Sequence, residues 1–405
     1  MTKKCRISNS KLIKFLDLGK QPLGNGFLDK RKKAKEYFFN LSVGFSKKSK
    51  MVQLINVPKK EKMFNKNYSF FSSTSKYMDH HFEKFSKEIK FLIKKNKISN
   101  PVIVEIGCND GIMLKRFKEM SHYGIEPSKN VANQAKKNGL NVVTSFFNKK
   151  TVENIKKTNK KIDVFYAANV MCHIEEINNV FEIVSKNISD KGFFVFEDPY
   201  LGEIIKKTSY DQIYDEHVFL FSAISISQLA KKFGLRLFDL RNQITHGGSM
   251  RYYICKKNNH LVTQRCKKII KNENLMGLDK ISTFKKFALK VEKSKQNLNG
   301  LLAKIKSDGK KIYAYGATSK STTIFNYCNI DSKLISFYFD NTPIKQNKLS
   351  PGMHIPVLGF DKLKQFPDYF FLSAWNHSRE ILQKEKKFKK NGGKWITHVP
   401  NVKII

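Results

Sequence analysis

The ten residues VIVEIGCNDG at positions 102–111 decide the fold class of this 405-residue chain. An apolar strand carries Glu105 near its end, and Gly107 and Gly111 follow before a helix expected to start near Ile112. Glycines there permit a tight turn and a close approach of the backbone to a ligand at the carboxyl end of the strand. A dinucleotide-binding turn would show the triplet G-x-G-x-x-G, which is absent here. The turn therefore suits a ligand without a pyrophosphate.

Short β-rich runs alternate with helical stretches on both sides of this turn. The runs occupy 102–107, 122–127, 141–145, 163–170 and 192–197, and the alternation restarts at 311–317, 334–340 and 369–375. Strands that alternate with helices predict βαβ units and a parallel sheet. The sequence thus predicts an α/β protein with two Rossmann-like units, one in the middle of the chain and one at its carboxyl end.

Residues after several of the strands suit S-adenosylmethionine (SAM). Glu126 and Pro127 end the second run, where an acid accepts both hydroxyls of a ribose. Phe146 follows the third run, where an aromatic ring stacks on adenine, and Asn169 follows the fourth, near the expected methionine part. Their order predicts a SAM-binding methyltransferase domain. The predicted cofactor-binding residues are Glu105, Gly107, Asn109, Asp110, Gly111, Glu126, Pro127, Phe146 and Asn169.

Three domains are expected. Residues 1–75 are irregular and form a small N-terminal domain; 76–255 form the SAM-binding methyltransferase domain; 256–405 begin with a charged connector helix and continue as the C-terminal α/β domain. The N-terminus has no apolar signal region, and no stretch approaches about 18 consecutive apolar residues, so a cytoplasmic protein without membrane contact is expected.

The formal net charge of +42 suggests a phosphate-bearing partner. However, 68 of the 76 basic residues are Lys and only 8 are Arg, whereas base and phosphate recognition favours Arg. The Lys residues are also spread over every segment, which indicates solvated surfaces rather than a nucleic-acid interface. A positive field would still attract a small anionic substrate such as a sugar nucleotide. The six cysteines form no C-x-x-C pair and are expected to be reduced thiols.

Several ordered motifs resemble one known family. They are FLDLG at 15–19, QPLGN at 21–25, EIGCNDG at 105–111, YDEH at 214–217, HGGSMR at 246–251, YGA at 315–317, PGMHIP at 351–356 and AWN at 374–376. Together they resemble the SAM-dependent C-methyltransferases that methylate C3 of nucleotide-linked 4-keto-6-deoxyhexoses, over nearly the whole chain. The resemblance implies a nucleotide-linked sugar substrate and leaves open which sugar, which nucleotide, and whether the protein is a monomer or a dimer.

One departure from this family concerns a metal. The resemblance implies an N-terminal zinc site with two C-x-x-C pairs, but the matching positions hold Cys5, Ser8, Ser46 and Ser49. Neutral serine is a poor zinc ligand compared with cysteine or histidine. The N-terminal domain is therefore expected to be a degenerate zinc-binding type that has lost its zinc, and no metal ligands are assigned.

Methyl transfer to carbon needs a base that removes a proton next to a ketone and a donor near the enolate oxygen. His217 is the expected base, since free imidazole has a pKa of about 6.5, with Glu216 orienting it and Tyr214 donating to oxygen. His173 and Tyr68 are further catalytic candidates. The C-terminal turn 315–320 suits an anion held by backbone N–H groups. The expected substrate-binding residues are His246, Arg251, Gly316, Lys320, Trp375 and Asn376.

Two alternatives remain open from the sequence. The charge leaves room for an RNA or DNA methyltransferase, or for another small-molecule methyltransferase, although the Asn/Asp-Pro-Pro-aromatic motif of amino-directed enzymes is absent after the fourth strand, at 169–173. The altered zinc positions leave room for a non-catalytic homologue that binds a sugar nucleotide. The presence of both Glu216 and His217 argues against the second alternative.

Overall fold

The computed structural model describes residues 3–29, 35–64, 71–74, 76–159, 161–257 and 259–405, and these residues form three β-sheets. The strands in chain order are β1 Ile13–Pro22, β2 Phe38–Phe45, β3 Val52–Leu54, β4 Val102–Ile106, β5 Ser121–Ile125, β6 Val142–Val143, β7 Ile162–Ala168, β8 Ile188–Pro199, β9 Phe219–Leu220, β10 Leu235–Gln243, β11 Ser249–Lys256, β12 Ile312–Tyr315, β13 Tyr338–Phe339, β14 Val357–Leu358, β15 Tyr369–Leu372, β16 Lys394–Thr397 and β17 Lys403–Ile404.

The α-helices in chain order are α1 Lys60–Met63, α2 Lys76–Lys95, α3 Lys129–Lys137, α4 Lys149–Thr158, α5 Ile177–Asn187, α6 Leu201–Lys207, α7 Ala223–Lys232, α8 Gln264–Met276, α9 Ile281–Ser307, α10 Ser319–Tyr327, α11 Ser378–Lys384 and α12 Lys386–Lys390. Short 3₁₀ turns lie between them; four that matter for the site are Met171–His173, Tyr210–Gln212, Thr245–Gly247 and Trp375–His377.

The middle sheet has seven strands in the order β10-β11-β8-β7-β4-β5-β6. Strands β4 to β8 pair in parallel, while β11 and β10 are antiparallel additions at one edge. All five residues of β4 are buried, as expected for a central strand with both faces covered. Phe85 and Ile89 of α2 belong to the same apolar cluster as Ile103 and Val164 and cover one face of the sheet. This architecture confirms the predicted Rossmann-like methyltransferase fold.

The N-terminal residues form an antiparallel sheet in the order β1-β2-β3-β9. Its fourth strand, β9, comes from the sequence between the middle-sheet strands β8 and β10. The description of this region as irregular is therefore wrong, because the short strands complete their hydrogen bonding with a partner that lies far away in sequence. The N-terminal and middle regions are interlocked rather than separated by a linker.

The C-terminal sheet has six strands in the order β14-β13-β12-β15-β16-β17, and every pair except β16·β17 is parallel. The connector is formed by α8 and α9. Phe284 on α9 lies in one apolar cluster with Phe45 of β2 and Ile312 of β12, so this helix packs against both terminal domains. The second Rossmann-like unit is thus confirmed.

The prediction of a helix that starts near Ile112 is wrong. The chain between Gly111 and β5 forms one 3₁₀ turn, Leu114–Phe117, and no α-helix. Leu114 and Phe117 join the apolar cluster of α2, which already covers this face of the sheet. Among the residues described, none of the helices is long and apolar enough to cross a membrane.

Candidate active site

A cavity of about 800 Å³ opens at the carboxyl ends of the parallel strands of the middle sheet. The strand β4 has β5 on one side and β7 on the other, so the order reverses here, and α/β sheets bind ligands at such a point. Seven of the nine residues predicted to bind the cofactor line this cavity: Glu105, Gly107, Asn109, Glu126, Pro127, Phe146 and Asn169.

Gly107 makes the turn that brings the backbone to the cavity. Its φ is +70°, and a Cβ atom at this position would lie 2.6 Å from a methyl group of Val170. Both the left-handed conformation and the close contact therefore require glycine. Asp110 and Gly111 do not line the cavity: Asp110 accepts a hydrogen bond from the backbone N–H of Ser73 at 2.9 Å and is buried behind the turn.

Two acids are held at the cavity wall. The Glu126 carboxylate accepts hydrogen bonds from the backbone N–H groups of Asn109 at 3.0 Å and Ser128 at 2.8 Å, which ties the glycine turn to the end of β5. Glu105 accepts one from the Tyr166 hydroxyl at 2.8 Å. Burial raises the pKa of Glu126, and burial raises the pKa of Glu105 well above its usual range.

The cavity residues fit SAM. The Oδ1 atom of Asn169 is buried, and within the described part of the chain it has no hydrogen-bond partner, so a ligand donor such as the α-ammonium group of SAM would satisfy it. The Phe146 ring offers an apolar surface for adenine, and Glu126 offers the acceptor for a ribose. Bound SAM would supply the methyl group for transfer.

A row of four aromatic rings extends from the cavity into the protein. His173 lies between Phe64 and His217, with ring centroids at 5.7 and 5.3 Å, and His217 lies 4.1 Å from Tyr214. His173 itself lines the cavity, and its Nε2 is buried without a partner among the described residues. Burial lowers the pKa of His173 to about 4, so this imidazole is neutral at physiological pH. The row brings together three of the five predicted catalytic residues.

The environment of His217 fixes its protonation. Its Nδ1 lies 2.6 Å from the backbone carbonyl oxygen of Gln212. A carbonyl oxygen can only accept, so Nδ1 carries the hydrogen and donates it. Burial, with a smaller contribution from neighbouring His173, lowers the pKa of His217 well below its usual value. The imidazole is therefore neutral with its lone pair on Nε2, which is the form that acts as a base.

Glu216 is held from the N-terminal domain. The Asn25 side-chain amide donates a hydrogen bond to Glu216 Oε1 at 2.8 Å, and the Gly24 backbone N–H donates to the neighbouring Asp215 at 2.8 Å. Burial, together with the charge of Glu216, raises the pKa of Asp215 to about 8. The two adjacent buried acids therefore titrate as a coupled pair.

The C-terminal domain contributes a cationic group near these rings. Lys320 Nζ lies 3.4 Å from the backbone oxygen of His246 and 5.4 Å from the ring centroid of Trp375. Trp375 is fixed because its Nε1 donates to Asp211 at 2.5 Å. Burial lowers the pKa of Lys320 to about 8, so its ammonium form still predominates at neutral pH. The His246 side chain lines the cavity, its carbonyl also accepts from Gln212 Nε2, and burial lowers its pKa to about 3.

Comparison with known proteins places the whole chain in one family. A "Putative zinc binding domain" model matches residues 5–64, a methyltransferase domain model matches 77–240, and a C-methyltransferase C-terminal domain model matches 244–400. The C-methyltransferase NovU of Streptomyces niveus is 27% identical, over 99% of this chain and 96% of that protein. The chain belongs to the SAM-dependent C-methyltransferase family. The recognised family, enzyme class and cofactor are thus confirmed, and the agreement extends over all three domains.

Solved structures of other methyltransferases are similar to part of this chain. The magnesium protoporphyrin IX methyltransferase of Synechocystis PCC 6803 with bound SAM is 10% identical over 45% of this chain and 82% of its own, with a TM-score of 0.34. A SAM-dependent methyltransferase from Clostridium acetobutylicum is 11% identical over 43% of this chain and 92% of its own, with a TM-score of 0.34. Such similarity says nothing about the substrate of the C-methyltransferase.

The four positions of the expected zinc site lie together in this C-methyltransferase. Cys5 Sγ is 3.2 Å from Ser49 Oγ, and Ser46 Oγ is 3.3 Å from Ser8 Oγ and 3.0 Å from Ser10 Oγ. The hydroxyls thus satisfy one another by hydrogen bonding where thiolates would bind metal. Loss of zinc stays a prediction, to be checked by metal analysis of the dialysed protein.

Some predicted residues lie away from the cavity. Arg251 is fully buried and bonds to Glu197 through two nitrogens at 2.7 and 3.0 Å, with Glu88 at 2.8 Å, so its guanidinium is already neutralised. Gly316 donates its N–H to the carbonyl of Phe339 at 2.8 Å, inside the C-terminal sheet. The predicted residues Trp375 and Asn376 lie on a 3₁₀ turn and are also absent from the cavity lining, and Tyr68 lies outside the described residues.

Proposed function

We propose that this C-methyltransferase methylates a carbon next to the ketone of a nucleotide-linked keto-deoxysugar, with His217 as the base. The observation that carries the proposal is the hydrogen bond from His217 Nδ1 to the Gln212 carbonyl, which leaves the lone pair on Nε2. A sugar carbon that bears a hydrogen becomes nucleophilic only after it loses that proton. A neighbouring ketone makes the proton removable, because the negative charge of the resulting enolate spreads onto the ketone oxygen. The neutral imidazole of His217 carries its lone pair on Nε2 and can take up that proton.

The neighbouring groups suit the charge changes of this reaction. As His217 takes up a proton it becomes an imidazolium, and we assign the carboxylate of Glu216, its neighbour in sequence, to stabilising that charge. The enolate oxygen needs a donor, which Tyr214 supplies through its hydroxyl and which Lys320 supports through its ammonium charge. His173 at the cavity wall separates the base from the predicted cofactor region, and we assign it to placing the substrate carbon there.

The substrate class follows from the sequence motifs and from charge. A nucleotide-linked sugar carries two phosphates, and the basic surface of a chain with a net charge of +42 favours its approach. The C-terminal residues Lys320 and Trp375 supply a cation and an aromatic plane, which suit a phosphate and a nucleobase. Gly316 and Asn376, in the turns after β12 and β15, are assigned to the same ligand as second contacts.

The test is a methylation assay with SAM and a panel of nucleoside-diphosphate 4-keto sugars, read by the mass of the product. We expect a gain of one methylene unit in at least one sugar and a carbon–methyl bond by NMR. The His217→Asn variant should lose about 10²- to 10⁴-fold in kcat while SAM affinity is kept. A panel without any methylated sugar, or a methyl group on oxygen or nitrogen, contradicts the proposal.

His122→Asn is the matched control for this variant. His122 is also buried, and its Nδ1 also faces a backbone carbonyl, that of Met120 at 3.0 Å. It lies on β5 near the amino end, whereas the His217 ring packs against the cavity-lining His173. Loss of a structural histidine should therefore lower stability in both variants, whereas only His217→Asn should lose turnover. Equal losses of turnover in both would refute the assignment of His217.

A further inference from the structure

The dipeptide Gly24-Asn25 of the N-terminal domain connects all three domains of the enzyme. The Gly24 backbone N–H donates to Asp215 in the methyltransferase domain, and the Gly24 carbonyl accepts from Thr322 Oγ1 on α10 at 3.0 Å. The Asn25 amide donates to Glu216 Oε1 at 2.8 Å and accepts from Ser319 Oγ at 2.9 Å. The dipeptide therefore lies between Asp215 and Glu216 of the middle domain and Ser319 and Thr322 of the C-terminal domain.

The network fixes which way the Asn25 amide points. Glu216 as a carboxylate accepts only, so the NH₂ group must face it. The Asn25 oxygen then faces Ser319, whose hydroxyl donates. The amide cannot turn over without breaking both bonds, and hydrogen bonds to an ionised carboxylate favour the ionised form.

The surroundings leave little freedom for this segment. A Cβ atom on Gly24 would lie 2.9 Å from Asp215 Oδ1 and 3.1 Å from Ser319 Cβ, so the backbone is closely enclosed. Asp215 and Glu216 are adjacent in sequence and both buried, and burial together with the charge of Glu216 raises the pKa of Asp215. The segment gives each acid one N–H donor, the side-chain amide of Asn25 to Glu216 and the backbone N–H of Gly24 to Asp215.

We propose that Asn25 is a positioning residue, by which the N-terminal domain holds the ionised carboxylate of Glu216 in place beside the base His217 in the chain. The inference rests on the proposed function, because it assigns Asn25 a role in that reaction through Glu216. It also gives the N-terminal domain a role that does not involve zinc. Among the described residues, Asn25 makes no hydrogen bond to the four positions of the expected zinc site, where Ser8 and Ser46 hydrogen-bond through their hydroxyls and Ser49 donates its backbone N–H to Ser46.

The first test compares Asn25→Ala with Asn56→Ala. Asn56 lies in the same domain and also donates its amide, to the backbone oxygen of Asn40 at 3.0 Å, but that bond is exposed and joins it to neither acid. Hydrogen bonds to charged groups are worth enough to predict a loss of about 10- to 100-fold in kcat for Asn25→Ala. SAM affinity should stay near wild type, the unfolding midpoint should fall because a hydrogen bond to a buried carboxylate is lost, and Asn56→Ala should keep full activity. An unchanged kcat in Asn25→Ala overturns the inference.

A double-mutant cycle separates positioning from a general weakening of the fold. If Asn25 acts through Glu216, then Asn25→Ala should cost nothing further once Glu216→Ala has been made. Ser319→Ala, which frees the amide to turn, should give a smaller loss in the same direction. Losses in kcat that simply multiply in the double variant would show that Asn25 acts elsewhere and would contradict the inference.

The same cycle measured by urea unfolding does not depend on the substrate. Coupling between Asn25→Ala and Glu216→Ala in the unfolding midpoint reports the contact itself, so it persists even if no keto sugar is methylated. Coupling without methylation of the panel would mean that the proposed function fails while the contact stands. Methylation by the wild-type enzyme with no coupling in either measurement would mean that the function stands and the role of Asn25 fails.

Discussion

Substituting Gly107 by alanine tests the geometry of the cofactor turn. At φ +70° any non-glycine residue loses about 1–2 kcal/mol from its left-handed conformation. The added Cβ would also lie 2.6 Å from a methyl group of Val170, and over-packing of a filled site costs about 1–3 kcal/mol. Together these predict a loss of about 2–5 kcal/mol in the free energy of unfolding. Because Gly107 and Val170 both line the cavity, the SAM dissociation constant should rise as well.

Gly234 provides the matched control because it separates the two contributions. Its φ is +71°, and a Cβ atom added there would meet nothing within 4 Å. Gly234→Ala therefore carries the same conformational cost without the contact, and effects on the unfolded chain cancel in the comparison. Urea unfolding should show Gly107→Ala to be the less stable by about 1–3 kcal/mol, and calorimetry should show normal SAM binding in Gly234→Ala alone. Equal stability of the two variants would refute the placement of Val170 against the turn.

Three further predictions concern buried acids and the cofactor. Glu126→Ala should weaken SAM binding by about 10- to 100-fold in calorimetry, since a hydrogen-bonding carboxylate is lost, and unchanged affinity would remove Glu126 from the site. Arg251→Met should cost about 3–5 kcal/mol in urea unfolding because the buried Glu197 loses its guanidinium partner, and the double variant with Glu197→Gln should recover part of this loss. No loss of stability in Arg251→Met would refute the pairing. Burial raises the pKa of Asp198 to about 8 in the folded protein. Because Asp198 is already ionised in the unfolded chain above pH 5, the wild-type protein loses stability as the pH rises from 5 to 8. The Asp198→Asn variant should therefore gain up to about 4 kcal/mol in the free energy of unfolding relative to wild type over that range. A pH-independent difference would contradict this.

The parallel strands of the middle and C-terminal sheets could be predicted because their signal is local. A buried strand such as β4 is a continuous apolar run, and the residues at its end are next to it in sequence. The sequence therefore predicts Glu105, Gly107 and Glu126 as cavity residues without knowledge of any distant contact. Whether the described residues contact a ligand as assigned stays a prediction for each of them.

What sequence alone could not supply are the contacts between distant segments. The N-terminal sheet needs β9, which lies far along the chain, so its strands look irregular when viewed alone. Asn25 stands in the recognised run QPLGN, yet nothing in its neighbourhood reveals Glu216 as a partner. Arg251 was placed near the sugar because it follows His246 in sequence, whereas its charge is neutralised by Glu197 on the neighbouring strand.

Both Rossmann-like units use an acid at the end of the second strand in the same way. Glu126 accepts the backbone N–H of Asn109 in the first turn, and Asp340 accepts that of Ala317 at 2.7 Å in the corresponding C-terminal turn. The acid thus holds the turn in shape in both units. In the middle unit the cavity lies beside this acid, so Glu126 keeps its structural role at the place where it is predicted to bind a ribose.

The most direct measurement is exchange of the hydrogen next to the ketone with solvent deuterium, in the absence of SAM. This step needs only the base and the keto group, so it isolates the role of His217. Wild-type enzyme should incorporate deuterium into the keto sugar, His122→Asn should do so at a similar rate, and His217→Asn should be slower by about 10²- to 10⁴-fold. Exchange by His217→Asn at the wild-type rate would contradict the account and would transfer the role of the base to His173 or Tyr214.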